Sequence, residues 1–220
     1  MKKQNVYTIK DAIFSDALEI IYKYFNEMPY AIVGGGAIQV YASFAAMKDA
    51  DLNSVKKLNG LALSLRKTGD IDLSFDYDSA ELIKKLNFII EQTGGKYTFH
   101  SFSKRFVIQD GARRLNLNYQ NNPDDLKGIS TYYNDIIHTA ITLEFPYKSK
   151  KIYLKIARPE YLIVSKLTRN KPKDQADIVL LLKSMEMDNY PFDSEEVRSI
   201  LKSVNKEAKY NILLELMDSI

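Results

Sequence analysis

The chain contains no cysteine, which excludes disulfides and thiolate metal sites and is what a reducing compartment permits. Its two histidines, His100 and His138, stand apart without ligand-spaced partners, so nothing supports a zinc site. Tryptophan is absent beside fifteen tyrosines, a usage that points to core and interface packing; Tyr119, Tyr132 and Tyr133 are the candidates for stacking on a base. No apolar run approaches the roughly 20 residues that a membrane helix needs. The start, Met1-Lys2-Lys3-Gln4-Asn5, leads into no apolar segment, so we expect no secretory signal and a cytoplasmic location. A net charge of +3 is too small to announce a nucleic-acid binder by itself. No repeat, low-complexity tract or Ser/Gly linker is present, and no Ser/His/Asp motif.

What is there is an ordinary globular composition, 45% hydrophobic and 27% charged over 220 residues, enough to bury a core as one domain or two closely packed lobes. Within it, Arg66-Lys67-Thr68-Gly69-Asp70-Ile71-Asp72-Leu73 stands out. Read as a strand, its period of two sends Asp70 and Asp72 to one face and Ile71 and Leu73 to the other. Two acids on one face repel each other unless a cation lies between them. Oxygen ligands of this kind suit Mg²⁺ (or Mn²⁺), commonly held by one or two carboxylates together with substrate phosphates. Upstream, Ala31-Ile32-Val33-Gly34-Gly35-Gly36-Ala37 reads as a strand, a glycine turn and a helix start. There the backbone can approach a phosphate, with helix N-terminal amides aimed at it. Arg66 and Thr68 add a cation and a hydroxyl for phosphate oxygens. The conjunction points to metal-dependent chemistry on a nucleoside triphosphate.

These motifs resemble the nucleotidyltransferases of the polymerase-β superfamily, and within it the AbiEii-type group, whose best-known members are toxins of type IV toxin–antitoxin systems. A second block supports the likeness: Arg158-Pro159-Glu160-Tyr161-Leu162-Ile163-Val164-Ser165-Lys166-Leu167, then Arg169 and Lys173-Asp174-Gln175-Ala176-Asp177-Ile178. The likeness runs from about Tyr30 to about Leu182. It implies that Asp70 and Asp72 hold the metal and that Gly34, Gly35, Gly36, Arg66, Thr68 and Arg169 serve the nucleotide. It further implies that Lys166 reaches the triphosphate, that Asp177 belongs to the site and that Asp174 supports it. The donor would be a nucleoside triphosphate. Compatible acceptors are a tRNA or other RNA end, a protein side chain or a small molecule such as an antibiotic. A cognate antitoxin is an expected partner, a membrane is not.

Three departures qualify the likeness. Gly36 stands where superfamily members usually carry a hydroxyl residue. The segment Lys48–Leu65 is longer than in compact members and reads as a lid, a recognition loop or an insertion. On the strand Arg114-Leu115-Asn116-Leu117-Asn118, asparagines occupy the face where many members place a third carboxylate. Asparagine is a poor metal ligand and no base, and Glu144 is the substitute that the sequence offers. Asn116 and Asn118 therefore leave open a catalytically impaired protein that binds nucleotide, RNA or a protein partner.

Periodicity predicts helices over Tyr7 to about Met28, Ala37 to about Met47 and Ser79 to about Thr93. Strands are expected at Tyr30–Val33, Asp70–Phe75, Tyr97–Gln109, Arg113–Tyr119, Thr139–Phe145 and Lys151–Ile156, with an Asp110-Gly111 hairpin. Beyond them the chain is helical, with starts at Arg158, Pro172, Asp193 and Asn205. The expected fold is α+β: a nucleotidyltransferase-type mixed β-sheet flanked by helices over 1–156, then a helical C-terminal subdomain over 157–220 completing the cleft. Charge follows that division. Lys148, Lys150, Lys151, Lys155, Arg158, Lys166, Arg169, Lys171 and Lys173 face one acid, Glu160, while acids dominate from Asp174 onward. The basic band reads either as a wall that attracts triphosphate or RNA, mildly disfavouring a cationic antibiotic, or as a solvated hairpin and helix face.

Overall fold

Apolar residues recur along Ala12–Phe25 at helical spacing, and the helix they form (α1) buries Ile13, Phe14, Ala17, Leu18, Ile21 and Phe25. The computed structural model describes residues 11–50, 68–92, 97–100, 105–110, 113–121, 132–147 and 150–220. Those residues fall into two compact units, one drawn from 1–36 and 67–157, the other from 37–66 and 158–220.

The first unit is built on a mixed seven-stranded sheet. Its strands are β1 (Tyr30–Val33), β2 (Asp70–Phe75), β3 (Tyr97–His100), β4 (Arg105–Asp110), β5 (Arg113–Asn121), β6 (Ile141–Tyr147) and β7 (Lys150–Ile156), in the order β3-β4-β5-β2-β1-β7-β6. β2 runs antiparallel to β1 and parallel to β5. Alternation sets the faces: Ile71, Leu73, Leu115 and Leu117 are buried on one side, where α1 packs against β4, β5 and β7. Phe25 and Phe75 meet edge-on within this core, ring centroids 5.2 Å apart.

The expected single strand over Tyr97–Gln109 is two. The chain doubles back, so that Tyr97 pairs with Ile108 and His100 with Arg105. No Asn-Gly, Asp-Gly or proline signal marks that reversal in His100-Ser101-Phe102-Ser103-Lys104-Arg105. The Asp110 hairpin is present in the register, with Asp110 opposite Arg113; Gly111 lies outside the described residues. A short helix, Tyr132–His138, packs on β1 and was not anticipated, because seven residues are too few to establish a period. It buries Tyr132, which removes that ring from the candidates for base stacking. Tyr119 turns an edge to Phe75, and His138 pairs with Asp76 at 2.8 Å. Numbered in chain order after α1, the next helices are α2 (Gly34–Ala50), whose residues from Ala37 on belong to the second unit, and α3 (Ser79–Gln92) and α4 (Tyr132–His138) of the first. Asp78 caps α3 by accepting the Glu81 amide at 2.9 Å.

The second unit contains α5 (Pro159–Arg169), α6 (Pro172–Asp188), α7 (Ser194–Ser203) and α8 (Tyr210–Asp218). Proline opens α5 and α6 where the missing N–H costs nothing. Asp193 caps α7 through the Glu195 and Glu196 amides. Asparagines close helices instead of glycine: Asn170 and Asn189 are C-caps in the left-handed region. Asn205, at φ 58°, follows α7 and does not open the last helix as expected. Arg158 grips Glu196 with both terminal nitrogens, tying the start of α5 to that of α7. Among the described residues, no helix is long and apolar enough to cross a membrane.

Candidate active site

β1 runs straight into α2 at Gly34, with no intervening turn. Gly34 adopts φ +66°, a region that glycine enters without steric cost. A Cβ there would stand 2.4 Å from Asp72 Oδ2, so the carboxylate lies directly against the glycine backbone. Gly36 is roomier: a Cβ would meet Ile71 Cγ2 at 3.4 Å. The glycine segment and the aspartate strand are thus one packed feature, brought together by the Val33–Asp72 register.

Asp70 and Asp72 share the half-buried face of β2. The Thr68 hydroxyl, 4% exposed, reaches Asp70 Oδ1 at 2.9 Å. It positions the aspartate and is not presented to a phosphate as the sequence had suggested. The parallel register sets Asn116 beside Asp70 and Asn118 beside Asp72. Asn118 Nδ2 donates to Asp72 Oδ1 at 3.0 Å and to Asp70 Oδ2 at 3.3 Å, bridging both acids. Arg105 Nε donates to Asn118 Oδ1 at 3.3 Å, which fixes the amide with its NH₂ toward the carboxylates. Asn116 Nδ2 approaches the Gly69 carbonyl at 3.5 Å, while its Oδ1 is buried and accepts no hydrogen bond among the described residues.

Glu144 does not join this group. It lies on the edge strand β6, three strands from β2 or roughly 14 Å at the usual spacing. It pairs there with Lys151 at 2.7 Å, a hydrogen bond that holds its carboxyl below the ordinary glutamate value. Arg66 and most of the Lys48–Leu65 segment lie outside the described residues. Among those described, no group of three or more His, Cys, Asp or Glu could hold a metal. The donor set of Asp70 and Asp72 nonetheless fits a divalent cation whose remaining ligands come from phosphate and water.

The second block of the sequence forms a buried ionic cluster within the second unit. Lys166 Nζ meets Asp177 Oδ2 at 2.5 Å and Asp174 Oδ1 at 3.5 Å, with the three side chains 2%, 3% and 0% exposed. Arg169 donates to Asp174 at 2.7 Å, and the Lys171 amide donates to the same carboxylate, closing a capping box on α6. Burial raises Asp174, but Arg169, Lys166 and the Lys171 N–H together hold it below its ordinary value. The resemblance implied a Lys166 ammonium extended to a triphosphate; here it is held on Asp177.

The basic band is largely neutralised by neighbours. Lys150 pairs with Glu19, Lys151 with Glu144 and Arg158 with Glu196, while Lys155 donates to the Met28 carbonyl. Arg105, which no motif marked, is the functional candidate that sequence reasoning missed. The β4–β5 register sets it opposite Asn118, on the aspartate face.

No family model matches the chain, and no curated protein matches it. Solved structures do. An antigenic nucleotidyltransferase-like protein from Paracoccidioides brasiliensis superposes with a TM-score of 0.51 at 14% identity, over 90% of this chain and 95% of that one. The chain has a nucleotidyltransferase-like fold. A looser likeness, at a TM-score of 0.40 and 18% identity over 94% and 97% of the two chains, is to the antibiotic-resistance factor ANT(2'')-Ia. That superposition is too loose to bear on this chain's substrate.

Proposed function

We propose that this protein is a divalent-metal-dependent nucleotidyltransferase of the polymerase-β superfamily, moving a nucleoside monophosphate from a nucleoside triphosphate to a hydroxyl acceptor. The observation that carries the reading is the Asp70/Asp72 pair on one face of β2, with Asp72 packed against Gly34, on a nucleotidyltransferase-like fold. Asp70 and Asp72 would hold Mg²⁺ or Mn²⁺, which supplies charge neutralisation during phosphoryl transfer. Gly34, Gly35 and Gly36 let the α2 backbone approach the triphosphate. The acceptor oxygen forms a bond to the α-phosphorus as the bond to the leaving pyrophosphate breaks. Asn116 and Asn118 cannot take the acceptor's proton, which falls to a carboxylate of the pair or to water. Thr68 and Asn118 hold those carboxylates in place.

The finer reading places the chain in the AbiEii-type group, on the likeness of the Gly34–Ala37, Arg66–Leu73 and Lys166–Asp177 motifs. In that reading the protein is a cytoplasmic bacterial toxin, its acceptor is a tRNA or other RNA end, and a cognate antitoxin is its partner. By the same likeness Lys166 and Asp177 belong to the catalytic set, Arg169 to nucleotide binding and Asp174 to their support. A second reading has one specific observation in its favour. Asn118 donates to both aspartates where many superfamily members place a third carboxylate, as expected of a protein that binds nucleotide without transferring it.

Thermal unfolding with each nucleoside triphosphate, with and without Mg²⁺, tests the proposal. A ligand at 100 times its dissociation constant stabilises by about 2.7 kcal/mol. A Mg²⁺-dependent shift with one triphosphate, absent from Asp70→Asn and Asp72→Asn, is the expected result; no shift with any triphosphate refutes it. A shift without label transfer to RNA, protein or small-molecule pools selects the second reading.

A further inference from the structure

Asp72 belongs to a row of paired residues that crosses four strands. Val33 lies opposite it on β1, Asn118 on β5, and Arg105 lies opposite Asn118 on β4. With strands about 4.8 Å apart, the glycine segment stands one strand to one side of Asp72. Arg105 stands two strands to the other side. A triphosphate cradled by the glycine segment and α2 therefore leaves the Arg105 side of the carboxylates to the second substrate.

Arg105 is half-buried and uses one donor, Nε to Asn118 Oδ1 at 3.3 Å. Its two terminal amino groups have no partner among the described residues. A planar guanidinium carries five N–H donors in a fork suited to phosphate or carboxylate. The identity of residue 118 keeps that fork available. An aspartate at this position would form an ion pair with Arg105 and repel Asp70 and Asp72. The asparagine instead turns its oxygen to Arg105 and its NH₂ to both acids. It separates the cation from the carboxylates without neutralising either, and it orients the guanidinium through Nε.

Resting on the nucleotidyltransferase reading of the aspartate pair, we propose that Arg105 binds an anionic group, phosphate or carboxylate, carried by the acceptor, so that the enzyme selects anionic hydroxyl acceptors over cationic ones. Asn118 is the positioning residue for that contact.

The two sources of an anion, donor triphosphate and acceptor, are separated by titrating inorganic phosphate into protein saturated with Mg²⁺ and a non-hydrolysable nucleoside triphosphate. Wild type binds phosphate under these conditions. Arg105→Gln binds it roughly ten- to a hundredfold more weakly, the loss of a charge-assisted contact, while its affinity for the nucleotide is unchanged. Arg105→Lys, which keeps the charge without the fork, falls between them. Asn118→Asp also weakens phosphate binding, by pairing with Arg105, and gives an independent answer should Arg105→Gln fail to fold. Equal phosphate affinity in wild type and Arg105→Gln overturns the proposal, as does absence of phosphate binding by wild type. A parallel loss of nucleotide affinity in Arg105→Gln overturns it too, by assigning the arginine to the donor. If no triphosphate binds the wild type, the nucleotidyltransferase reading itself fails. The same phosphate titration without nucleotide then decides whether Arg105 holds an anion at all.

Discussion

Replacing Gly34 by alanine is expected to displace Asp72, and the size of the effect follows from two features of the backbone. The φ of +66° is left-handed, which costs an L-residue roughly 1–2 kcal/mol. The new Cβ would also stand 2.4 Å from Asp72 Oδ2, where ordinary contact begins at 3.4 Å. The carboxylate must therefore retreat by about 1 Å, a misplacement that in a catalytic constellation costs on the order of a hundredfold in rate. Gly36→Ala is the matched control, since its Cβ meets Ile71 Cγ2 at 3.4 Å. It should fold within about 1 kcal/mol of wild type, on either side. For a chain of this size the Gly34→Ala backbone cost lowers the melting temperature by roughly 2–8 °C. The assay is thermal unfolding of both variants, with and without Mg²⁺ and nucleoside triphosphate. Gly34→Ala loses the Mg²⁺-dependent shift and Gly36→Ala keeps it. A Gly34→Ala protein that melts early yet retains the full nucleotide shift would refute the link between Gly34 and the position of Asp72.

Asp72→Asn relieves repulsion within the acid pair, so without metal it should unfold within about 1 kcal/mol of wild type while losing Mg²⁺-dependent nucleotide binding; a large loss of stability in metal-free denaturant melts would contradict this. Lys166→Met leaves Asp177 buried without its cation and should cost about 3–5 kcal/mol, read from urea midpoints. Turnover should nevertheless fall further in Asp70→Asn than in Lys166→Met measured well below its melting temperature; equal losses would count against the metal role of Asp70. Asp174 has a folded value below its ordinary one. Its stabilising contribution is present above the unfolded value of about 3.9 and is lost as pH falls through the folded value. The stability gap between wild type and Asp174→Asn, measured by denaturant titration at stepped pH, should accordingly be full near neutrality and shrink in acid.

Local regularities carried much of the fold into view. The Asp70-Ile71-Asp72-Leu73 alternation was legible because a strand has a fixed period of two, and it placed both acids on one face. Proline at 159 and 172 marked helix starts because its geometry suits the first turn and little else. The mixed sheet followed by helices came from the same patterns. The asparagine C-caps at 170 and 189 were less visible, since asparagine enters the left-handed region only where local structure rewards it.

The sequence by itself determined which residues carry charge and which face of β2 presents Asp70 and Asp72. Tertiary structure decided what meets them. Strand register joins residues far apart in the chain, and nothing local specifies it. It set Asn118 between the acids, brought Arg105 to Asn118 through the β4–β5 pairing, and left Glu144 on a distant edge. Burial likewise depends on packing between helices, which is why the Lys166-Asp174-Asp177 spacing did not disclose that these charges satisfy one another inside the second unit.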